Sequence, residues 1–265
     1  IDDRVVVTWA ATTGDETNVC AATSLDEGRT FSAPVRVNDV AGDAQGYLWF
    51  ATADGLARYD GSGFAVWRHD PADPASLPDN AVQTLYVDRA DQVWVGTEDG
   101  GLAVLDPARR GFRIWRARGD DPAALATDDI WAIAQAPDGA IWVGGYASGL
   151  ARIDGAGKVQ RIAGAGDPVL APVGETIIAL AFDRAGWLWV GSDPGATAIR
   201  LGDNGPPAQA LSYLEGVMVT AVDVDAAGRV WLGTRDALHA VPPRSGAPGA
   251  LEPVALAPAA PVRPV

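Results

Sequence analysis

The chain has 265 residues, of which 48% are hydrophobic, and its 34 acidic residues outnumber 20 basic ones to give a formal net charge of −14 at pH 7. This length can bury a sizeable core, but no apolar run of about 18 residues could span a bilayer, so we expect no membrane insertion of this segment. The negative charge would repel a polyanion, which argues against nucleic acid as a partner. The single Cys20 excludes an intrachain disulfide.

The first forty residues do not share the pattern of the rest of the chain. Apolar alternation predicts strands at residues 4–9 and 18–22, and a third at 31–37. The first strand opens the chain without a signal sequence, so we expect a segment of something longer. Residues 1–39 are predicted to form an N-terminal unit with three strands at most.

The octamer SLDEGRTF, residues 24–31, links the second of these strands to the third. It resembles the Asp-box, S-x-D-x-G-x-T-F/W, of sialidase-like propellers, and the resemblance implies structural roles for Ser24, Asp26, Gly28 and Phe31. Asp26 can accept hydrogen bonds from hairpin amides, Gly28 can adopt a positive φ, and Phe31 can fill the blade. In that family the Asp-box lies away from the catalytic face, so no glycosidase activity is implied.

A short seam joins this unit to the next. Only ten residues separate Val37 from Leu48, too few for a loop, an inner strand and a turn. Either residues 34–37 become the inner strand of the next unit, which the repeat alignment favours, or that unit lacks one. The change of pattern across the seam suggests a recombined or engineered, chimeric assembly, and a divergent natural first blade is the alternative.

One unit then recurs through residues 40–250. Its best copy begins at residue 81 and is predicted to contain four strands, at residues 82–87, 93–95, 102–105 and 112–115. The copies are centred on five tryptophans, Trp49, Trp94, Trp142, Trp189 and Trp231, at intervals of 45, 48, 47 and 42 residues. Short strands at this period predict an all-β fold, a β-propeller of about six four-stranded blades, five of them within residues 40–250. Five or seven blades, or an open fragment of a larger propeller, are the alternatives.

The residue types found at three positions of the repeat have a physical explanation. The tryptophan is predicted to be a buried wedge between blades. Outer-strand tryptophans such as Trp67 and Trp115 are expected to show one ring face to solvent. The residue three before each repeat tryptophan suits a left-handed turn, and these residues are Gly46, Asp91, Gly139, Gly186 and Gly228. The residue two after each tryptophan is small, which allows blades to approach closely. These small residues are Ala51, Gly96, Gly144, Gly191 and Gly233.

The runs D-x-x-G-x-L/I/V-W-V-G-T and D-G-L-A-R-Y-D resemble the two-component regulator propeller repeat, over roughly residues 43–241. The last two copies depart from it, at residues 194–196 and 236–238. The resemblance implies a non-catalytic sensor module, extracytoplasmic (periplasmic) in location, that binds a small ligand or a protein partner and passes the event to a signalling domain.

Long acidic, proline-rich loops at residues 69–78 and 119–126 lead from an outer strand to the next inner one. In propellers such loops rim the face where ligands usually bind. Polar residues of this face are the predicted ligand-binding set, although ordinary turn roles would also explain most of them: Asn80, Glu98, Asp128, Asp129, Tyr146, Ser192 and Arg235.

Catalytic and metal-binding patterns are missing from the sequence. His69 and His239 fall in different repeats without ligand spacing, and Asp223 with Asp225 is too small a set for a calcium cage. We therefore predict no catalytic residue, no metal and no cofactor. Residues 139–158 also resemble the blade of streptogramin-type lyases, so a lyase-like enzyme is one alternative function, and an engineered scaffold without native function is another.

The chain ends in a proline- and alanine-rich tail, residues 251–265. Its first part, residues 251–256, could form the outermost strand of the last blade, and residues 261–265 could complete the N-terminal unit. Such closure would give a monomer. An open sheet edge would instead pair with another chain, so a monomer and an edge-paired oligomer are both expected possibilities.

Overall fold

The computed structural model describes residues 5–13, 16–24, 35–36, 39–106, 111–119, 121–162, 169–202, 207–243 and 246–254. Contacts divide the chain into two units. The first comprises Ile1–Ile133 with Lys158–Gln160, and the second comprises Ala134–Gly157 with Arg161–Val265. In the described part of the chain, no helix is long and apolar enough to cross a membrane.

The N-terminal sheet has three antiparallel strands in the order β1-β2-β3, namely β1 (Val5–Thr13), β2 (Glu16–Ser24) and β3 (Val35–Arg36). Val35 pairs with Ala21, so the expectation that residues 34–37 form the inner strand of the next unit is wrong. That strand is β4 (Asp39–Gly42), which is only four residues long and therefore fits the short seam. Ser24 ends β2, while Asp26, Gly28 and Phe31 lie outside the described residues.

Five four-stranded antiparallel sheets follow. The first two contain β4, β5 (Leu48–Thr52), β6 (Gly55–Tyr59) and β7 (Phe64–Trp67), then β8 (Val82–Val87), β9 (Val93–Thr97), β10 (Leu102–Asp106) and β11 (Gly111–Trp115). The third contains β12 (Ile130–Gln135), β13 (Ile141–Gly145), β14 (Leu150–Ile153) and β15 (Val159–Ile162). The last two contain β16 (Ile177–Phe182), β17 (Trp187–Ser192), β18 (Gly195–Leu201) and β19 (Pro207–Tyr213), then β20 (Val219–Val224), β21 (Val230–Thr234), β22 (Leu238–Val241) and β23 (Glu252–Val254).

The predicted all-β blades are confirmed. Each four-stranded sheet runs in simple chain order, and the single described helix is a 3-10 turn at Ala171–Val173. The described sheets are thus five complete four-stranded blades and the three-stranded N-terminal sheet. Strand β23 pairs with β22, as proposed for the start of the tail, whereas residues 261–265 lie outside the described residues.

The turn before each repeat tryptophan adopts the predicted left-handed conformation. Its φ angle is positive at Gly46 (83°), Asp91 (63°), Gly139 (91°), Gly186 (81°) and Gly228 (81°). Asp91 is the one residue here with a Cβ, and aspartate tolerates this region better than most residues do.

An aspartate six residues before the tryptophan stabilises four of these turns. One carboxylate oxygen accepts the indole N–H, in the pairs Asp43–Trp49 (2.8 Å), Asp88–Trp94 (2.9 Å), Asp183–Trp189 (3.0 Å) and Asp225–Trp231 (3.0 Å). The other oxygen accepts backbone N–H groups of the turn, for example from Ala90 and Gln92 at Asp88. The repeat motif contains this aspartate, but its bond to the tryptophan was not predicted.

The repeat tryptophans lie in the core. Trp49, Trp94, Trp142 and Trp189 are at most 7% exposed, whereas Trp231 in the last sheet is half-buried. Trp49 clusters with Val93 and Val95, which flank the tryptophan of the following sheet. In the second unit Trp189 clusters in the same way with Val230 and Leu232. A tryptophan therefore packs on the next sheet of its own unit, as the wedge model requires.

The small residue after the tryptophan is needed for this packing. A Cβ at Gly96 would lie 2.6 Å from Thr84 Cγ2 and 2.7 Å from the Ile130 carbonyl oxygen, and a Cβ at Gly144 would collide with Ile177. Any larger residue at these two glycines would force the neighbouring inner strand away.

Outer-strand tryptophans are more buried than the sequence suggests. Trp115 is 9% exposed and stacks on Trp94 with ring centroids 5.3 Å apart. Trp67 is half-buried and stacks on Trp49 at 5.2 Å. The expectation that Trp115 shows a ring face to solvent is wrong, because inner and outer tryptophans of one sheet cover each other.

Candidate functional site

The predicted ligand-binding residues of the first unit lie at the loop-bearing end of its strands. Asn80 and Asp128 occupy the same position in consecutive repeats, just before the inner strand. The Asn80 side-chain oxygen accepts the His69 N–H (2.8 Å), and its backbone carbonyl accepts the Gly55 N–H (2.8 Å). This residue therefore ties the exit of β7 and the β5–β6 hairpin to the start of β8.

Asp128 makes the equivalent pair of contacts one repeat later. Its carboxylate accepts the Ala117 N–H (2.7 Å) and its backbone carbonyl accepts the Gly101 N–H (2.8 Å). Both half-buried side chains thus have a structural role in closing the loop. The sequence signal for this role is a polar residue at the same offset before β8 and β12.

Two leucines anchor the long loops at residues 69–78 and 119–126. The sequence patterns had predicted only that these loops connect strands. Leu77 is fully buried and Leu125 is 1% exposed. Each ends a D-P-A-x-L run, at residues 73–77 and 121–125, in which the aspartate accepts the backbone N–H two residues later. The two runs share this spacing, which would have identified the anchors. The loops consequently hold a defined shape at the rim.

Acidic side chains reach solvent next to these anchored loops. Glu98 and Asp99 are exposed at the β9–β10 hairpin. Asp129 is half-buried and accepts the indole N–H of Trp131 at 2.6 Å. Burial raises the pKa of Asp129, the Trp131 hydrogen bond opposes that rise, and the charge of Asp99 adds to it. Glu98, Asp99, Asp129 and Trp131 form what we call the acidic rim of the first unit.

A basic group lies beside the acidic rim but is already engaged. The Arg116 guanidinium donates hydrogen bonds to the backbone carbonyls of Asp99 (3.3 Å) and Pro78 (3.2 Å). It therefore braces the loop and the hairpin. Because these acceptors are neutral carbonyls, Arg116 adds positive charge without pairing directly with the exposed carboxylates.

The predicted residues of the second unit differ strongly in exposure. Tyr146 is 58% exposed and Arg235 is exposed in the β21–β22 hairpin, so both can meet a ligand. Ser192 is fully buried, and its hydroxyl donates to the Gly195 carbonyl oxygen (3.0 Å). Ser192 therefore has a structural role in the β17–β18 hairpin. Thr97 makes the same hairpin contact in the first unit.

The two histidines belong to different units of the chain. His69 Nδ1 lies 2.8 Å from the Leu77 carbonyl oxygen in the first unit. His239 lies on β22 opposite Leu232 and Pro253, and its Nδ1 is buried without a hydrogen-bond partner among the residues described. Within the same residues, no three His, Cys, Asp or Glu side chains converge in a way that could hold a metal ion.

Comparisons with known proteins identify the repeat. The family model of the two component regulator propeller matches residues 76–99 and 124–147, the segments that end just after Trp94 and Trp142. No curated protein matches the chain. Among solved structures, the extracellular domain of a hybrid two component system from B. thetaiotaomicron matches with a TM-score of 0.69 and 24% identity, over 80% of this chain and 29% of that one.

Two further structures have the same fold at lower identity. PorZ, a surface component of the type-IX secretion system of Porphyromonas gingivalis, gives a TM-score of 0.62 and 16% identity over 91% of this chain and 39% of that one. Virginiamycin B lyase from Staphylococcus aureus gives a TM-score of 0.63 and 11% identity over 96% of this chain and 89% of that one. At these identities the structures show the fold alone, and this chain spans less than a third of the first. The chain thus has a β-propeller fold in which residues 76–99 and 124–147 match the two component regulator propeller model.

Proposed function

We propose that this chain is the non-catalytic binding part of an extracytoplasmic sensor, and that its acidic rim binds a cationic group. The repeat family and the hybrid two component neighbour support a sensor module of a longer protein. The neighbour is an extracellular domain, which supports the same location for this chain. The predicted division at residues 39 and 250, within a single propeller domain, is part of this proposal.

The main support for this proposal is the group of exposed carboxylates beside an indole ring. Glu98 and Asp99 are solvent-exposed, and Asp129 holds the ring of Trp131 beside them through its hydrogen bond. An ammonium or guanidinium group fits such a place, because carboxylates supply charge and hydrogen-bond acceptors while an aromatic face adds cation–π attraction. The anchored loops keep these groups in position before a ligand arrives, which lowers the entropic cost of binding.

Cation binding at the acidic rim should depend on pH through the protonation of Asp129. Burial raises the pKa of this carboxyl, and a bound cation would favour its ionised form. Cation binding should therefore weaken as the pH falls through the raised pKa of Asp129. Tyr146 and Arg235 stay predicted ligand or partner contacts of the second unit by itself.

Titration with L-arginine and with spermidine tests the proposal. We expect either probe to shift the Trp131 indole N–H resonance, assigned with Trp131→Phe, and expect Asp129→Asn and Glu98→Gln to weaken binding about tenfold or more. The control is Asp60→Asn, which removes one charge at the opposite end of the strands in the same unit. Equal weakening by the control would indicate bulk charge attraction, and no binding at millimolar concentration would contradict a cation site.

A further inference from the structure

The sheet β4–β7 carries an open groove on its face opposite Trp49. Phe64 and Val66 are 50% and 46% exposed, and together with the buried Phe50 and Ala57 they form the apolar wall of a groove of about 420 Å³. Small-molecule sites are usually concave and of this size, and they combine apolar walls with a few polar groups. The groove is therefore large enough for a small ligand.

The exposure of its apolar side chains distinguishes this groove. In the part of the chain that the structure describes, only five large hydrophobic side chains are exposed, and two of them are Phe64 and Val66. Phe112, which has the equivalent position in the next sheet, is only 7% exposed. The sheet β1–β3 precedes β4 in the chain, and Phe64 and Val66 are exposed nonetheless. Apolar side chains grouped in this way are typical of a binding surface.

One end of the groove is charged. Asp54 of the β5–β6 hairpin and Arg68, just after β7, form an ion pair of 2.8 Å in which both side chains are more than half exposed. The hydrogen bond and charge of Arg68 lower the pKa of Asp54, so both groups are ionised at neutral pH. Such an exposed pair contributes little to stability, so it is available to a ligand without loss of the fold.

The ion pair leaves hydrogen-bonding capacity on both partners. Nε (3.2 Å) and Nη2 (2.8 Å) of Arg68 both donate to the same oxygen, Oδ2 of Asp54. Among the residues described, Asp54 Oδ1 and Arg68 Nη1 make no hydrogen bond. A ligand ammonium can therefore donate to Oδ1, and a ligand carboxylate can accept from Nη1, while the ion pair stays intact.

We propose that this groove binds a free α-amino acid with a large apolar side chain. Such a ligand carries an ammonium and a carboxylate on one carbon, which matches the adjacent acceptor and donor of Asp54 and Arg68. Its side chain lies against Phe64 and Val66. The Phe64 ring already packs on Tyr59 with centroids 4.9 Å apart, so an aromatic ligand side chain extends this row. The groove shares no residue with the acidic rim and does not rest on the proposed function.

Calorimetric titration of the full chain with L-phenylalanine and three analogues tests the ligand chemistry. We expect L-phenylalanine to bind with a Kd of about 1 mM or lower. N-acetyl-L-phenylalanine lacks the ammonium, L-phenylalaninamide lacks the carboxylate, and L-serine keeps both charges without the apolar side chain. Each analogue should bind about tenfold more weakly or worse, because each removes one of the three matched contacts.

Substitutions test the position of the site. Asp54→Asn and Arg68→Gln should each weaken L-phenylalanine binding about tenfold, and Val66→Asp should abolish it by placing a charge on the apolar wall. The matched control is Asp60→Asn, which removes a carboxylate at the opposite end of the same sheet and should leave the Kd unchanged. L-phenylalanine should shift the Val66 methyl resonances, assigned with Val66→Ala, and should leave the Trp131 indole N–H resonance of the acidic rim in place.

Four results would overturn the assignment. They are tight binding of an analogue that lacks one charge, an unchanged Kd in both Asp54→Asn and Arg68→Gln, a shift of the Trp131 resonance without one at Val66, and no binding of L-phenylalanine at about 10 mM. The first of these would indicate a peptide end or a simple amphiphile instead of a free amino acid. Because Trp131 and Val66 report on different sites, failure of the cation site and failure of this groove are separate outcomes.

Discussion

The second and third repeats differ at one position of the turn that leads to the tryptophan. In the second, Asp88 accepts the indole N–H of Trp94 at 2.9 Å. In the third, Ala136 stands in its place, and the fully buried Trp142 has an indole nitrogen without a hydrogen-bond partner among the described residues. Trp142 is nevertheless less exposed than Trp94, so burial of the ring does not depend on the carboxylate.

The backbone of the two turns is the same. The Asp88 N–H donates to the Gln92 carbonyl oxygen at 3.0 Å, and the Ala136 N–H donates to the Ala140 carbonyl oxygen at 2.8 Å. Strand pairing and the left-handed Gly139 therefore suffice to form the turn of the third repeat. Asp88 therefore adds a hydrogen bond to Trp94 in a turn whose backbone geometry forms without it. The effect of this bond on stability can be measured.

Trp94→Ala should have the largest effect. Loss of a buried ring that also stacks on Trp115 is expected to lower the free energy of unfolding by about 3–5 kcal/mol. Trp231→Ala should cost less, because that ring is half-buried although Asp225 bonds it in the same way. Chemical denaturation measures both. Equal losses would mean that the aspartate bond, and not packing, determines the tryptophan's contribution.

Replacing tryptophan by phenylalanine isolates the hydrogen bond. Trp94→Phe leaves the buried Asp88 carboxylate without its indole donor, whereas Trp142→Phe removes an N–H that had no partner. We expect the first variant to lose about 1–2 kcal/mol more than the second in denaturant unfolding. The opposite order would show that ring volume at the more deeply buried Trp142 outweighs the bond.

Sequence patterns predicted the strands well, because period-two alternation and the spacing of tryptophans depend on burial alone. They identified β10 within a residue and the left-handed Asp91. They could not show which polar side chains the backbone already uses. Among the predicted ligand contacts, Asn80 and Ser192 make hydrogen bonds that hold a loop and a hairpin. The exposed Glu98 and Asp99 were predictable because turn residues without a strand role stay in solvent.

Ala136→Asp should stabilise the third repeat. An aspartate there is positioned by the existing turn to accept the Trp142 indole N–H, and satisfying this buried donor is expected to add about 1 kcal/mol to the free energy of unfolding. The gain should vanish in the double variant Ala136→Asp with Trp142→Phe. A destabilised single variant would indicate that desolvation of the new carboxylate costs more than its bonds return.

Acid should weaken the turn that contains Asp225. The Arg229 backbone N–H, followed by the Trp231 indole N–H, lowers the pKa of Asp225 in the folded protein. The stabilisation from Asp225 is therefore present above its unfolded pKa, near 3.8, and is lost as the pH falls through the lower folded value. Asp225→Asn should be less stable than the natural chain at pH 7, with the difference shrinking at pH 3. A difference that does not change with pH would contradict the assignment.

Asp39 should behave in the opposite way, since its carboxyl lies on β4 and accepts the Leu85 N–H (2.8 Å) and the Thr84 hydroxyl (3.2 Å). Burial raises its pKa, and these bonds together with that of the Val40 N–H only oppose the rise. The folded state then holds the proton more tightly than the unfolded state, so this group contributes stability below the unfolded pKa and loses it as the pH rises through the folded one. Asp39→Asn, which keeps an acceptor for Leu85, should match or exceed the natural chain in stability at pH 7 and lose that advantage near pH 3 to 4. Loss of stability in this variant at pH 7 alone would mean that the ionised carboxylate is the better acceptor for β8, and that its hydrogen bonds outweigh the cost of burying the charge.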